Sequence, residues 1–108
     1  MEKRRFKRHR VSLKAERISG NKNYGVFIEN ISETGIQILT THSQANKVYL
    51  PGREIDLNFL LSSGKALNLH CRVRWALPKT PPDDMADSIG LEVIDPPAQY
   101  IEFVHSLP

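Results

Sequence analysis

From Leu67 to Leu77 the chain alternates, with Leu67, Leu69, Cys71, Val73, Trp75 and Leu77 on one parity and Asn68, His70, Arg72 and Arg74 on the other. Successive side chains of a strand point to opposite faces, so this segment reads as a strand with one face in a core and one in water. The same period runs through much of the chain. Val11, Leu13 and Ala15 alternate with polar residues in VSLKAERIS, and Ile55, Leu57, Phe59 and Leu61 alternate in IDLNFLL. NYGVFIEN and GIQILTT are rich in β-branched and aromatic residues, and NISETG between them supplies turn chemistry. SSGK reads as a hairpin turn, and SIGLEVID places Ile89, Leu91 and Val93 on one face. Six short strands predict an all-β fold, a six-stranded antiparallel barrel, because closure removes exposed edge strands.

The period changes at the C-terminal end. Asp95 reads as an N-cap, Pro96 and Pro97 suit a first helical turn, and Tyr100, Ile101, Val104 and Leu107 fall at helical spacing. A short C-terminal helix is expected. PKTPPDDMAD, with three prolines and three aspartates, reads as a loop between the last two strands.

A chain of 108 residues has room for one domain and one core. Its 40% hydrophobic and 25% charged residues are those of an ordinary globular protein. No apolar run is long enough to span a bilayer, so no membrane insertion is expected. The charged start MEKRRFKRHR, with no apolar segment behind it, argues against a secretory signal. The single cysteine, Cys71, allows no internal disulfide and fits a reducing cytoplasm.

The net charge of +3 conceals where the charge sits. MEKRRFKRHR carries six of the fifteen Lys and Arg residues and one acid, Glu2, leaving nine basic against eleven acidic side chains elsewhere. The expected organisation is therefore a flexible basic arm over residues 1–10, followed by the barrel and its helix over residues 11–108. A basic arm on a near-neutral body points to one anionic site.

Catalytic and metal chemistry find no support. His9, His42, His70 and His105 show no metal-ligand spacing, and one cysteine does not make a zinc site. Ser32 is not in a nucleophile elbow, and Asp83, Asp84 and Asp87 lack the glycine and glutamate of a calcium loop. Neither an enzyme nor a cofactor is expected.

Two segments carry the functional signal. Arg4 and Arg8 form R-x-x-x-R just before the first strand, and Asn30, Ser32 and Gly35 form N-x-S-x-x-G between the second and third. Each motif alone is weak. Their pairing, in this order and at these strand boundaries, resembles the two signature motifs of the PilZ family, R-x-x-x-R and (D/N)-x-S-x-x-G. The resemblance extends over nearly the whole chain, through the strand ending Val73-Arg74-Trp75, the Gly90-Leu91-Glu92-Val93 strand and the terminal helix.

The resemblance implies a receptor for the bacterial second messenger cyclic di-GMP that relays its signal to a downstream effector protein. It assigns Arg4 and Arg8 to phosphate and guanine contacts, with Arg5 as a further contact. Asn30, Ser32 and Gly35 would line one guanine. The physics agrees. An arginine fork makes two parallel hydrogen bonds to phosphate or to guanine O6 and N7, and its plane stacks on a purine. Asn30 can donate and accept at a base edge, as can the Ser32 hydroxyl. Gly35 suits either a turn with positive φ or a close approach of ligand to backbone.

Two other readings stand beside this one. The chain could be a PilZ-like adaptor acting through protein contacts, although it keeps the arginines. A small barrel binding single-stranded nucleic acid would want aromatic residues among the basic ones, and only Phe6 accompanies the arginines. Trp75 shares parity with apolar neighbours and reads as core, unless a bulge turns it outward to stack on a base.

Overall fold

The computed structural model describes residues 7–41, 49–61, 63–78 and 86–108. Six strands, β1 (His9–Ser19), β2 (Lys22–Ile31), β3 (Gly35–Thr41), β4 (Glu54–Leu60), β5 (Ala66–Pro78) and β6 (Ala86–Ile94), precede one helix, α1 (Ala98–His105). All neighbouring strands run antiparallel, in the closed order β1-β2-β3-β6-β5-β4. β1 closes the barrel on β4 through the pairs Glu16–Asn58, Arg17–Leu57 and Ile18–Asp56. The expected six-stranded barrel is thus observed; of the expected Pro-rich loop, Pro78, Ala86 and Asp87 instead pair at the ends of β5 and β6, and the residues between lie outside those described.

The alternation becomes a single core. Ile28, Ile38, Leu57, Leu69, Cys71 and Ile89 are wholly buried inside the barrel. Burying an aliphatic side chain of this size contributes about 1.5–3 kcal/mol, so a handful of inward positions carries much of the stability. A turn forms at Gly64, as expected. Gly64 adopts φ +92° there, and Leu61 N–H donates to the Lys65 carbonyl at 2.7 Å.

One inward position of β1 is charged. Arg17 continues the parity of Ala15 and is only 4% exposed. Its Nε donates to the Tyr49 hydroxyl at 2.9 Å, and its guanidinium lies 4.4 Å from the Tyr24 ring centroid and 5.4 Å from that of Tyr49. Two ring faces and one hydrogen bond offset part of the desolvation of this cation. Burial pushes the Tyr49 phenol above its ordinary value, while the Arg17 charge pulls it down.

Two expectations are corrected. Trp75 is not core: the register slips between Val73 and Trp75, which reverses the parity of the strand beyond it. Trp75 and Leu77 therefore face outward, 36% and 60% exposed, and Ala76 packs against the core instead. A bulge adds one residue to one strand, so every later side chain changes face.

The second correction concerns the helix start. α1 begins at Ala98, after Pro97 at the N-cap position, which makes no side-chain capping bond. Asp95 instead adopts φ +48° in the connection. Each residue before a proline is driven out of the α region, so the tandem Pro96-Pro97 delays the helix beyond Asp95. Tyr100 and Val104 are buried as their spacing predicts, and Phe103 meets Phe59 edge to face with centroids 5.7 Å apart.

On the outer face of β4, β5 and β6 lies a ladder of exposed charges. His70 reaches Asp56 through Nδ1 at 2.8 Å and Glu54 through Nε2 at 2.6 Å. Arg72 and Arg74 pair with Glu92 at 3.6 and 3.4 Å. The carboxylates of Asp56 and then Glu54 hold the His70 proton above the usual histidine range. Exposed pairs of this kind contribute little to stability. No helix among the described residues is long and apolar enough to cross a membrane.

Candidate ligand-binding site

Three register shifts fall in one band of the barrel wall. They lie between Arg10 and Leu13 in β1, between Ile28 and Asn30 in β2, and between Val73 and Trp75 in β5. The cross-strand pairs there form a continuous row: Arg10 opposes Asn30, Asn30 opposes Gln37, Gln37 opposes Gly90, and Gly90 opposes Trp75. Bulges re-aim side chains, and here they bring a cation, two amides and an indole to one outer surface. A groove of about 590 Å³ opens along the Arg10–Asn30–Gln37 part of this row, lined also by Glu29 and by the apolar Phe27 and Leu39.

Of the three assigned arginines, Arg8 is described, whereas Arg4 and Arg5 lie outside the described residues. Arg8 sits beside the second motif, its Nη1 donating to Asn30 Oδ1. Arg8 and Asn30 thus meet in space, across a separation of 22 residues in sequence.

The turn after β2 is built by Ser32. Its Oγ accepts from the backbone N–H of Gly35 at 3.1 Å and of Thr34 at 3.4 Å, and Ser32 N–H donates to the Gly35 carbonyl at 2.8 Å. Ser32 is 4% exposed, so its hydroxyl shapes the turn from within. Gly35 is not among the positive-φ glycines, and its role is close packing. A Cβ there would lie 3.2 Å from the Leu91 carbonyl oxygen and 3.8 Å from Arg8 Nη2.

Helix α1 fastens this turn from the other side. The buried Tyr100 hydroxyl donates to the Ser32 carbonyl, and His105 pairs with Glu33. Burial drives the Tyr100 phenol far above its ordinary value, so the hydroxyl keeps the proton it donates.

Trp75 packs directly over Gly90 of β6. A Cβ at Gly90 would come within 2.2 Å of the indole, a distance no real contact reaches. Only glycine at position 90 admits the ring there, and the residue remains partly exposed. Gln37, Trp75 and Tyr100 were not among the residues the motifs mark. Gln37 leaves no signal in a single sequence, the helical spacing of Tyr100 does not reveal its bond to Ser32, and Trp75 is masked by its apolar parity. Among the described residues, no group of His, Cys, Asp or Glu is arranged to hold a metal ion.

A small closed antiparallel barrel, with Arg8 meeting a polar turn on its outer wall, defines the class of domain. The PilZ domain model matches residues 2–106, and the chain belongs to the PilZ family. No curated protein sequence matches it. Among solved structures it is similar to the Bacillus subtilis inhibitor of motility MotI/DgrA, with TM-score 0.75, 16% identity, 96% of this chain and 48% of that one. It is also similar to MrkH of K. pneumonia in complex with c-di-GMP, with TM-score 0.73, 16% identity, 97% of this chain and 50% of that one. The PilZ domain of YcgR from Escherichia coli with c-di-GMP matches with TM-score 0.73, 7% identity, 96% of this chain and 87% of that one. The chain thus spans about half the length of the first two.

Proposed function

We propose that this PilZ domain is a non-enzymatic cytoplasmic receptor for cyclic di-GMP. Arg4, Arg5 and Arg8 grip its phosphates and a guanine edge. Asn30 and Gly35 present the barrel wall to that base, and Ser32 holds the turn on which they sit. The residues ahead of β1 act as an arm that folds over the ligand, while His9 and Arg10 already pair within the barrel. The covered surface then passes the signal to a downstream effector protein. The observation that carries this reading is the contact of Arg8 with Asn30, which joins the two motifs at the edge of the bulged row. The c-di-GMP complexes of MrkH and of the YcgR PilZ domain support the choice of ligand. Trp75, the only tryptophan, adds an aromatic face at the far end of the row.

Calorimetric titration with cyclic di-GMP, with GTP and a short oligonucleotide as controls, tests the reading. Only cyclic di-GMP is expected to bind, and its binding should quench the Trp75 fluorescence. The affinity should fall only shallowly with salt, because a dianion releases few counterions compared with a polymer. No heat with cyclic di-GMP, or tight oligonucleotide binding with a steep salt slope, overturns the assignment.

A further inference from the structure

We propose that Gln37 is a positioning residue of this site, holding the Asn30 amide in the one orientation that presents its oxygen to the arginine arm. The inference rests on the reading of the site as a cyclic di-GMP receptor. Its evidence is a hydrogen-bond relay with a single consistent direction. Arg8 has only donors, so the Asn30 atom it meets must be the oxygen. Asn30 Nδ2 then donates to Gln37 Oε1 at 2.8 Å. With its oxygen used as acceptor, Gln37 turns Nε2 to Ser88 Oγ at 2.8 Å and to Glu29 Oε1 at 3.2 Å.

The relay runs from the arm through β2 and β3 to β6, and its far end is well anchored. Ser88 is 8% exposed, and the Glu29 carboxylate can only accept, which forbids the reversed Gln37 amide. Gln37 therefore has both ends of its amide occupied and acts through Asn30. Without it the Asn30 amide is free to turn, and half its orientations offer an NH2 group to a guanidinium that cannot accept. Cyclic di-GMP would then meet an arm no longer held in place.

The relay predicts a dependence that simple packing does not. Gln37→Met keeps the length of the side chain but removes both hydrogen-bonding ends. It is expected to weaken cyclic di-GMP binding about 5- to 10-fold, the scale of one lost hydrogen bond between neutral groups. In an Asn30→Asp background both side-chain oxygens accept, so orientation no longer matters. There Gln37→Met should cost less than about 2-fold. Equal losses in the two backgrounds, or no loss in the first, overturn the proposal.

A measurement without ligand separates this inference from the receptor reading. The Asn30 side-chain NH2 signals, identified by their disappearance in Asn30→Asp, should be resolved and slow to exchange in the free protein. They should collapse in Gln37→Met. Signals that survive that substitution disprove the relay even if cyclic di-GMP binds. Collapse of the signals in a protein that binds no cyclic di-GMP supports the relay and removes the receptor reading.

Discussion

Arg8→Ala is expected to lower cyclic di-GMP affinity by roughly 10- to 150-fold, about 1.5–3 kcal/mol, the worth of a charge-assisted hydrogen bond. Arg8 precedes β1, is exposed and packs into no core, so the barrel should unfold at an unchanged urea midpoint. Arg8→Lys should recover little of the loss. Lysine brings the charge but not the planar fork that can hold Asn30 Oδ1 with one nitrogen and a ligand oxygen with another. Calorimetry on both variants decides the matter. Wild-type affinity in Arg8→Ala would remove Arg8 from the site, and wild-type affinity in Arg8→Lys would show that its charge suffices without the fork.

Tyr100→Ala should have the largest effect on stability, about 3–5 kcal/mol, because it empties a wholly buried aromatic position. Tyr100→Phe isolates the hydroxyl. It keeps the ring and leaves the Ser32 carbonyl without its donor from α1, at a cost of about 1–3 kcal/mol. The damage should be local as well as global. Amide exchange at Thr34 and Gly35, whose N–H groups are held by Ser32 Oγ, should quicken more than exchange in the middle of β5. Unchanged stability and unchanged exchange in Tyr100→Phe would show that α1 does not hold the turn.

The barrel was legible in the sequence because its signal is local. Period-two alternation at Ile55, Leu57 and Phe59, or at Leu67, Leu69, Cys71 and Val73, reports which face is buried wherever the strand is regular. It fails where the strand is not. Nothing between Val73 and Trp75 marks a bulge, so the parity rule sent the indole inward. The helix start failed for the opposite reason: Asp95 is a good capping residue, but two prolines following it override the preference.

For the site, the motifs led to Arg8 and Asn30, which do meet in space. The support around them was not legible. Gln37 matters because register places it beside Asn30, and Tyr100 because the chain returns to Ser32 at its far end. Such partners are properties of the folded topology, invisible to any window along one chain. Ser32 shows the same limit. Its presence was readable, but only the folded turn reveals that its oxygen is spent on the backbone of Thr34 and Gly35.

Cys71 sits in the middle of β5, opposite Ile55 on one side and Val93 on the other, with no exposed surface. Burial pushes its thiol up to about 12. The thiolate is the reactive species, so the folded chain is silent to alkylating reagents twice over, by access and by charge state. A lone silent cysteine makes the barrel its own chemical clock. Each alkylation event records one opening that reaches the centre of the sheet, and the labelling rate measures how often the closed state is left. A ligand that binds only the closed barrel slows that clock by the factor by which it populates the bound form, about 100-fold at one hundred times its Kd. The same atom that contributes nothing to recognition thus reads out, with no introduced residue, how firmly recognition holds the protein shut.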